Sequence, residues 1–364
     1  MKTPSSKAAP RAKGLDAPTL WARLDPDGMG DRIEGFAAQL RAGVSVAERV
    51  VASLAPHRPR RVVLFGMGGS AIAGDMVRAL VDREGASPFH VVRHYEPPAW
   101  ITPEDFLIFS SYSGETEETL TAFRATRYLG ARSVVLSTGG TLARLAGEDR
   151  IPTATLPAGH PPRAALGYSF STLIQVASHM GLLLDGPARL EAAAKAVEGV
   201  ISACRRTVIE SRNPAKKLAI RLSGRTVVVI ANERTLGPVA QRWKGQLNEN
   251  SKHMAWASPL PEMNHNEVDG YVHPPAQVGR MAAALLRDPE DHPRVKARFQ
   301  WLQSYLKRKR VRVETYEAKG ADSMARLMKA AVMGDFVSYY LALANGTDPM
   351  ALPGVTSLKK ALQR

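Results

Sequence analysis

Short apolar runs alternate along this chain with segments whose apolar residues recur every three or four positions. The runs are "RVVLF" (61–65), "FHVVR", "FLIFS" and "SVVLS" in the first half, then "TVVVI" (226–230), "RMAAALL" and "VRVETYEA" in the second. Short runs of this kind, most of them continuously apolar, suit parallel strands buried on both faces. The intervening segments read as helices. Ile33, Ala37, Leu40 and Val44 mark one apolar face, "SAIAGDMVRALV" follows the first strand, and "LGPVAQRWKGQLNEN" follows "TVVVI". "HPRVKARFQWLQSYLKRK" and residues 323–344 complete the second half. This strand–helix rhythm predicts an α/β fold with doubly wound, mainly parallel sheets flanked by helices on both faces.

At 364 residues the chain is long for one core, so two units are expected. The boundary falls near 186, where Gly186-Pro187 opens a long helical pattern. The units are then 30–186 and 187–364, preceded by a basic, flexible tail at 1–29. No sequence repeat relates the halves. Composition, at 45% hydrophobic and 23% charged, is globular. No apolar run reaches the roughly 18 residues of a membrane span. The N-terminus lacks the apolar stretch of a secretory signal; it is rich in Lys, Arg and Ser and free of acids, as a transit peptide would be, but reads first as a flexible tail. A single cysteine, Cys204, excludes a disulfide framework and a cysteine-based zinc site and suits a reducing cytoplasm. The net charge of +15 raises nucleic acid as a partner. However, the basic residues are interspersed with acids, and the one dense run, "KRKRVRVE" (307–314), joins a helix to a strand and reads as solvated surface. Neither nucleic acid nor membrane is therefore expected as a partner, although the field would draw in anionic substrates.

Two loops carry candidate chemistry. "FGMGGSAIAGD" leaves the first strand, and its glycines, Gly69 among them, permit a sharp turn and close approach to a ligand. Ser70 is expected at the N-cap of the next helix, where free N–H groups favour an anion. "SSYSGETEETL" (110–120) follows the strand "FLIFS", and Ser111, Ser113 and Thr116 would surround another helix N-terminus. Glycines after a strand also occur in dinucleotide sites, but "HVVRHYEP" offers Arg93 and His94 where an acid would be needed. Thr116 alone would be a simple helix cap. Two such loops at neighbouring strand ends of an open sheet instead converge on one anion, such as a phosphate monoester.

"GMGGSAIAGD" and "SYSGETEETL" resemble the sugar isomerase (SIS) domain and, more narrowly, the bifunctional phosphoglucose/phosphomannose isomerases. "PPRAALGYS", "GQLNENSKHMAWASPLPEMNHNEVDGY" and "GDFVSYYLALANGTDP" extend the resemblance from about residue 30 to the C-terminus. It implies two SIS-type subdomains and an aldose–ketose isomerase of hexose 6-phosphates that needs no cofactor and no metal. It further implies Glu249 as the base that moves a proton between C2 and C1, and His265 as the ring opener, reaching the site from the neighbouring subunit of a homodimer. By composition alone Glu249 is an ordinary surface acid, and Glu267 is a second, lower-ranked candidate. His253 and His273 read as surface or packing residues. Arg163, stiffened by two preceding prolines, would steady an enediolate, or else form a helix-terminus ion pair. Lys359 matches a family lysine in the C-terminal helix, with Lys360 one residue away. Met350 stands where many members carry threonine near a position linked to the mannose epimer. The competing reading is a non-catalytic sugar-phosphate sensor, which needs the phosphate loops but not Glu249, His265 and Arg163 together. Ketose–amine isomerases need an amidotransferase domain and heptose isomerases commonly need a metal, and neither requirement is visible.

Overall fold

The computed structural model describes residues 14–85 and 87–362. Its first half runs α1 (Pro18–Leu24), α2 (Met29–Glu34), α3 (Phe36–Ser53), β1 (Val62–Gly66), α4 (Gly68–Glu84), β2 (Phe89–Val92), β3 (Phe106–Ser110), α5 (Glu117–Thr126), β4 (Arg132–Ser137), α6 (Gly140–Glu148), β5 (Thr153–Thr155) and α7 (Leu166–His179). The second half runs α8 (Gly186–Cys204), α9 (Pro214–Leu222), β6 (Thr226–Asn232), α10 (Gly237–Glu249), β7 (Ala255–Leu260), α11 (Met263–Asn266) and α12 (Pro275–Val278). It closes with β8 (Met281–Arg287), α13 (Pro293–Arg308), β9 (Arg312–Glu317), α14 (Ser323–Ala344) and α15 (Pro353–Leu362).

Every strand pairing is parallel, in the orders β2-β1-β3-β4-β5 and β7-β6-β8-β9. The apolar runs explain how each sheet is covered. Successive side chains on a strand point to opposite faces. In β1, Val62 and Leu64 join one core, which also takes in α3, α7, α8 and α14, while Val63 and Phe65 join another with Leu120 and Phe123 of α5. In β6, Val227, Val229 and Ala231 face the same large core, and Val228 and Ile230 pack toward Phe299 and Leu302 of α13. A helical layer between the sheets is thus shared by both halves, and separate helices cover the outer faces.

Two strands escape the sequence pattern, and both are at sheet edges. β5 has three residues, and β7 carries Pro259, a residue tolerated only where its missing N–H is not needed by a neighbour. The expected tail at 1–29 also needs correction. Residues 1–13 lie outside the described residues, but 14–29 are folded against the second half. Leu15 is buried, Trp21 Nε1 donates to the Leu15 carbonyl at 2.8 Å, and the Asp25 carboxylate accepts from the Met29 and Gly30 amides at 2.6 and 2.9 Å. The fully buried Lys216 secures the segment. Its Nζ donates to Asp16 at 2.7 Å and to the carbonyls of Arg206 and Val208, and it lies over the Trp21 and Tyr340 rings. The 22-residue α14 is apolar and long enough to cross a membrane by composition, yet it is the buried central helix of the shared layer.

Candidate active site

In the first sheet the strand order reverses between β1 and β3, so the crevice at their C-terminal ends is the expected ligand position. The glycine loop leaves β1 and the hydroxyl loop leaves β3 side by side, with Gly66 in register with Ser110. Any side chain at Gly66 would meet the Ser110 carbonyl at 2.8 Å. Helix α4 begins at Gly68, with Met67 as its N-cap. Ser70 is therefore a buried residue of the first turn and not the cap, a correction to its expected place. Gly69 is required for packing, because a Cβ there would lie 2.8 Å from the Pro162 carbonyl.

The hydroxyl loop is braced internally. Ser111 Oγ lies 2.8 Å from Thr116 Oγ1 and accepts from the Gly114 amide at 3.1 Å, while Ser113 Oγ accepts from the Glu115 amide at 3.2 Å. Thr116 is the N-cap residue of α5, but its hydroxyl makes no capping bond. Gly114 has φ +72°, and a Cβ there would strike the Gly139 carbonyl at 2.0 Å, so the loop's turn needs glycine. The matching crevice of the second sheet, between β6 and β8, is filled by its own side chains. Asp291 Oδ1 accepts from Asn232 and Thr235 at 2.8 Å each, and Asp288 pairs with Arg326 at 2.9 Å.

A cavity of about 490 Å³ opens beside the glycine loop, lined by Gly68, Gly69, Arg163 and Glu249 among others. Arg163 sits in the tight turn Pro162–Ala164 before α7 and is 5% exposed, which makes its environment decisive. Its Nε donates to Asn250 Oδ1 at 2.7 Å, and its Nη2 donates to the carbonyls of Pro349 and Met350 at 2.7 and 3.0 Å. Nη1 remains for Glu249, whose carboxylate oxygen is 3.8 Å away. Burial pulls the Arg163 pKa down and the Glu249 charge opposes that pull, but a guanidinium retains its proton. Arg163 thus links α10, the turn before α7 and the segment before α15.

Several supporting residues gave no signal in isolation. Arg242 donates to the Arg163 carbonyl at 3.0 Å and to Asp335 at 2.7 Å, and Gln246 donates to the other Asp335 oxygen at 2.8 Å. Asp335 is buried, which raises its pKa against the lowering effect of Arg242. Asn250, which holds Arg163, is itself held by Ser338 at 3.0 Å. Arg242, Gln246 and Asn250 all lie on or just after α10 and Asp335 lies on α14, so the polar positions on the faces of those two helices were the signal that could have found them.

The other candidates lie apart. Glu267 is occupied, accepting from Ser258 Oγ at 2.5 Å and from Tyr271 OH at 2.6 Å. His265 is exposed on α11 and does not line the cavity. Lys359 and Lys360 lie on α15, which has no buried residue. His253 is partly buried, and burial lowers its pKa. The Met350 side chain packs against the central core, so it offers the site only its carbonyl. Among the described residues no group of His, Cys, Asp and Glu side chains is placed to hold a metal ion.

Residues 57–158 match the SIS domain, and residues 211–362 match the bacterial phospho-glucose isomerase C-terminal SIS domain. A bifunctional phosphoglucose/phosphomannose isomerase of Caldicellulosiruptor bescii is 32% identical over 334 residues, covering 92% of this chain and 98% of that protein. The chain belongs to the bifunctional phosphoglucose/phosphomannose isomerase family. The family enzyme of Aquifex aeolicus is 31% identical over 334 residues, covering 91% and 97%. A solved structure of a hypothetical protein from Thermus thermophilus superposes with a TM-score of 0.73 at 17% identity, covering 97% of this chain and 94% of that one, and so shares the fold. Both sheets, with their flanking helices, are SIS-type units. The cavity joins them, since Gly68 and Gly69 come from the first matched segment and Glu249 from the second.

Proposed function

We propose that this protein interconverts glucose 6-phosphate, and also mannose 6-phosphate, with fructose 6-phosphate through a cis-enediolate. The observation that carries this reading is the Arg163 Nη1–Glu249 pair at 3.8 Å, in a cavity that also contains the glycine loop. The hydroxyls of Ser70, Ser111, Ser113 and Thr116, with the amides near Gly69, hold the substrate phosphate. His265 and Lys359 open the sugar ring. Glu249 then takes the proton from C2, and Arg163 steadies the negative charge that develops on the oxygens. The same carboxylate returns the proton at C1 while a hydroxyl proton passes from O2 to O1, so the carbonyl moves to C2 and the base ends in its starting state. A sensor would need the phosphate loops alone, whereas here a buried guanidinium and a carboxylate share the cavity with the glycine loop.

His265 serves the cavity of a second copy in a homodimer. In support, His265 is exposed and outside its own chain's cavity, and α15 leaves Val355, Leu358 and Leu362 exposed. The lone cysteine and the absence of cysteine-dependent structure fit a cytoplasmic setting.

Coupled assays with glucose 6-phosphate and mannose 6-phosphate as separate substrates should each yield fructose 6-phosphate. No turnover of either would sink the reading. The phosphate nest has its own check. Ser113→Ala with Thr116→Ala removes two charge-assisted hydrogen bonds worth roughly 1.5–3 kcal/mol each, so KM for fructose 6-phosphate should rise by at least about a hundredfold. An unchanged KM in the folded double variant would remove these hydroxyls from the site.

A further inference from the structure

The cavity is longer than the proposed reaction uses. It continues as a groove between α4 and α10, away from Gly69 and Glu249. Arg78 lies nine residues beyond Gly69 along α4, about 13 Å at 1.5 Å per residue, and Lys244 lies five residues before Glu249, about 7 Å. Arg93, just after β2, completes the lining there. These three cations face one carboxylate, Asp75. Asp75 pairs with Arg93 and lies 3.8 Å from Arg78, so it is shared between two guanidinium groups. The Lys244 side chain makes no ion pair or hydrogen bond among the described residues. A hexose monophosphate anchored at Gly69 and reacting at Glu249 leaves this positive surplus unmet.

We infer that the Arg78–Arg93–Lys244 end of the groove is a second anion subsite that takes a phosphoryl group. Two positive charges in excess match the roughly −1.5 to −2 charge of a phosphoryl dianion, and guanidinium forks suit its oxygens. This rests on the proposed site for the first phosphate. The second group is either the far phosphate of a bisphosphorylated sugar or a separate inorganic phosphate beside a bound monophosphate.

Calorimetric titration of the intact chain separates these sources. Fructose 1,6-bisphosphate should bind at least about tenfold more tightly than fructose 6-phosphate, the effect of one charge-assisted contact. In Arg78→Gln/Lys244→Gln that advantage should vanish with monophosphate affinity retained. A Lys307→Gln/Arg308→Gln control, outside the groove, should keep it. If the anion is separate, inorganic phosphate should bind the fructose 6-phosphate complex of the wild type but not that of the groove variant. Equal affinity for the two sugars together with no phosphate binding would overturn the subsite, as would an advantage that persists in the groove variant. Preserved turnover of monophosphates with no second-phosphate effect would remove this inference alone. A clear second-phosphate effect in a chain that turns over nothing would instead remove the isomerase reading.

Discussion

Glu249→Gln should lower kcat by roughly 10²–10⁴-fold, the share that a positioned general base supplies. The substitution keeps the side chain's size and most of its hydrogen bonding but removes its basicity. Substrate should still bind, so KM should change little where it reports binding. The glucose and mannose reactions should fall together, because one base serves one enediolate whichever epimer supplied it. Exchange of the C2 proton with solvent should vanish in the same variant. Near-normal kcat in folded Glu249→Gln would move the role to another acid. Glu267 is a poor replacement, because both its oxygens are engaged by Ser258 and Tyr271. The variant also tests the proposed dimer. Glu249→Gln and His265→Ala chains should each be nearly inactive alone, and verified mixed dimers should regain activity at one of their two sites. No rescue would mean that both residues act within one chain.

Arg163→Lys should lower kcat by roughly 10²–10³-fold, comparable to the loss of a donor that meets developing negative charge. The reason is geometric. Three parts of the guanidinium have separate tasks, with Nε on Asn250, Nη2 on the carbonyls of residues 349 and 350, and Nη1 toward Glu249. A lysine keeps the charge but has one nitrogen, so it cannot hold the segment before α15 and face the cavity at once. Buried acceptors left without a donor cost about 1–3 kcal/mol, so the melting temperature should fall as well. Glu249→Gln, at a half-exposed site, should leave the melting temperature almost unchanged. That contrast would separate a residue needed for proton transfer from one needed for both charge stabilisation and assembly. Full activity in a folded Arg163→Lys enzyme would show that the site needs only a positive charge there.

The parallel strands were legible because burial on both faces demands apolar residues at every position. The runs in β1, β3, β6 and β8 coincide with the observed strands to within two residues. β5 and β7 were not legible, since β5 has only three residues and β7 is interrupted by Pro259, whereas the other two edge strands, β2 and β9, do carry runs. The glycine and hydroxyl loops were readable for a local reason, because a turn between strand and helix needs glycine at fixed places. Ser70 was misplaced by two or three residues because α4 begins inside the glycine run itself.

The sequence by itself determined the strand–helix order apart from β5 and β7, the division into two α/β units and the loops that flank the first switch point. Each of these depends on residues close together in the chain. Only the tertiary structure decided that Arg163 meets Glu249, that Asn250 and the carbonyls at 349 and 350 hold it, and that Asp335 supports α10 from α14. The tertiary structure likewise showed residues 14–29 folded over Lys216, which lies about two hundred positions away. Such contacts leave no periodic trace, because the energy that forms them comes from burying polar groups against chosen partners, and those partners are selected by packing and not by neighbouring sequence.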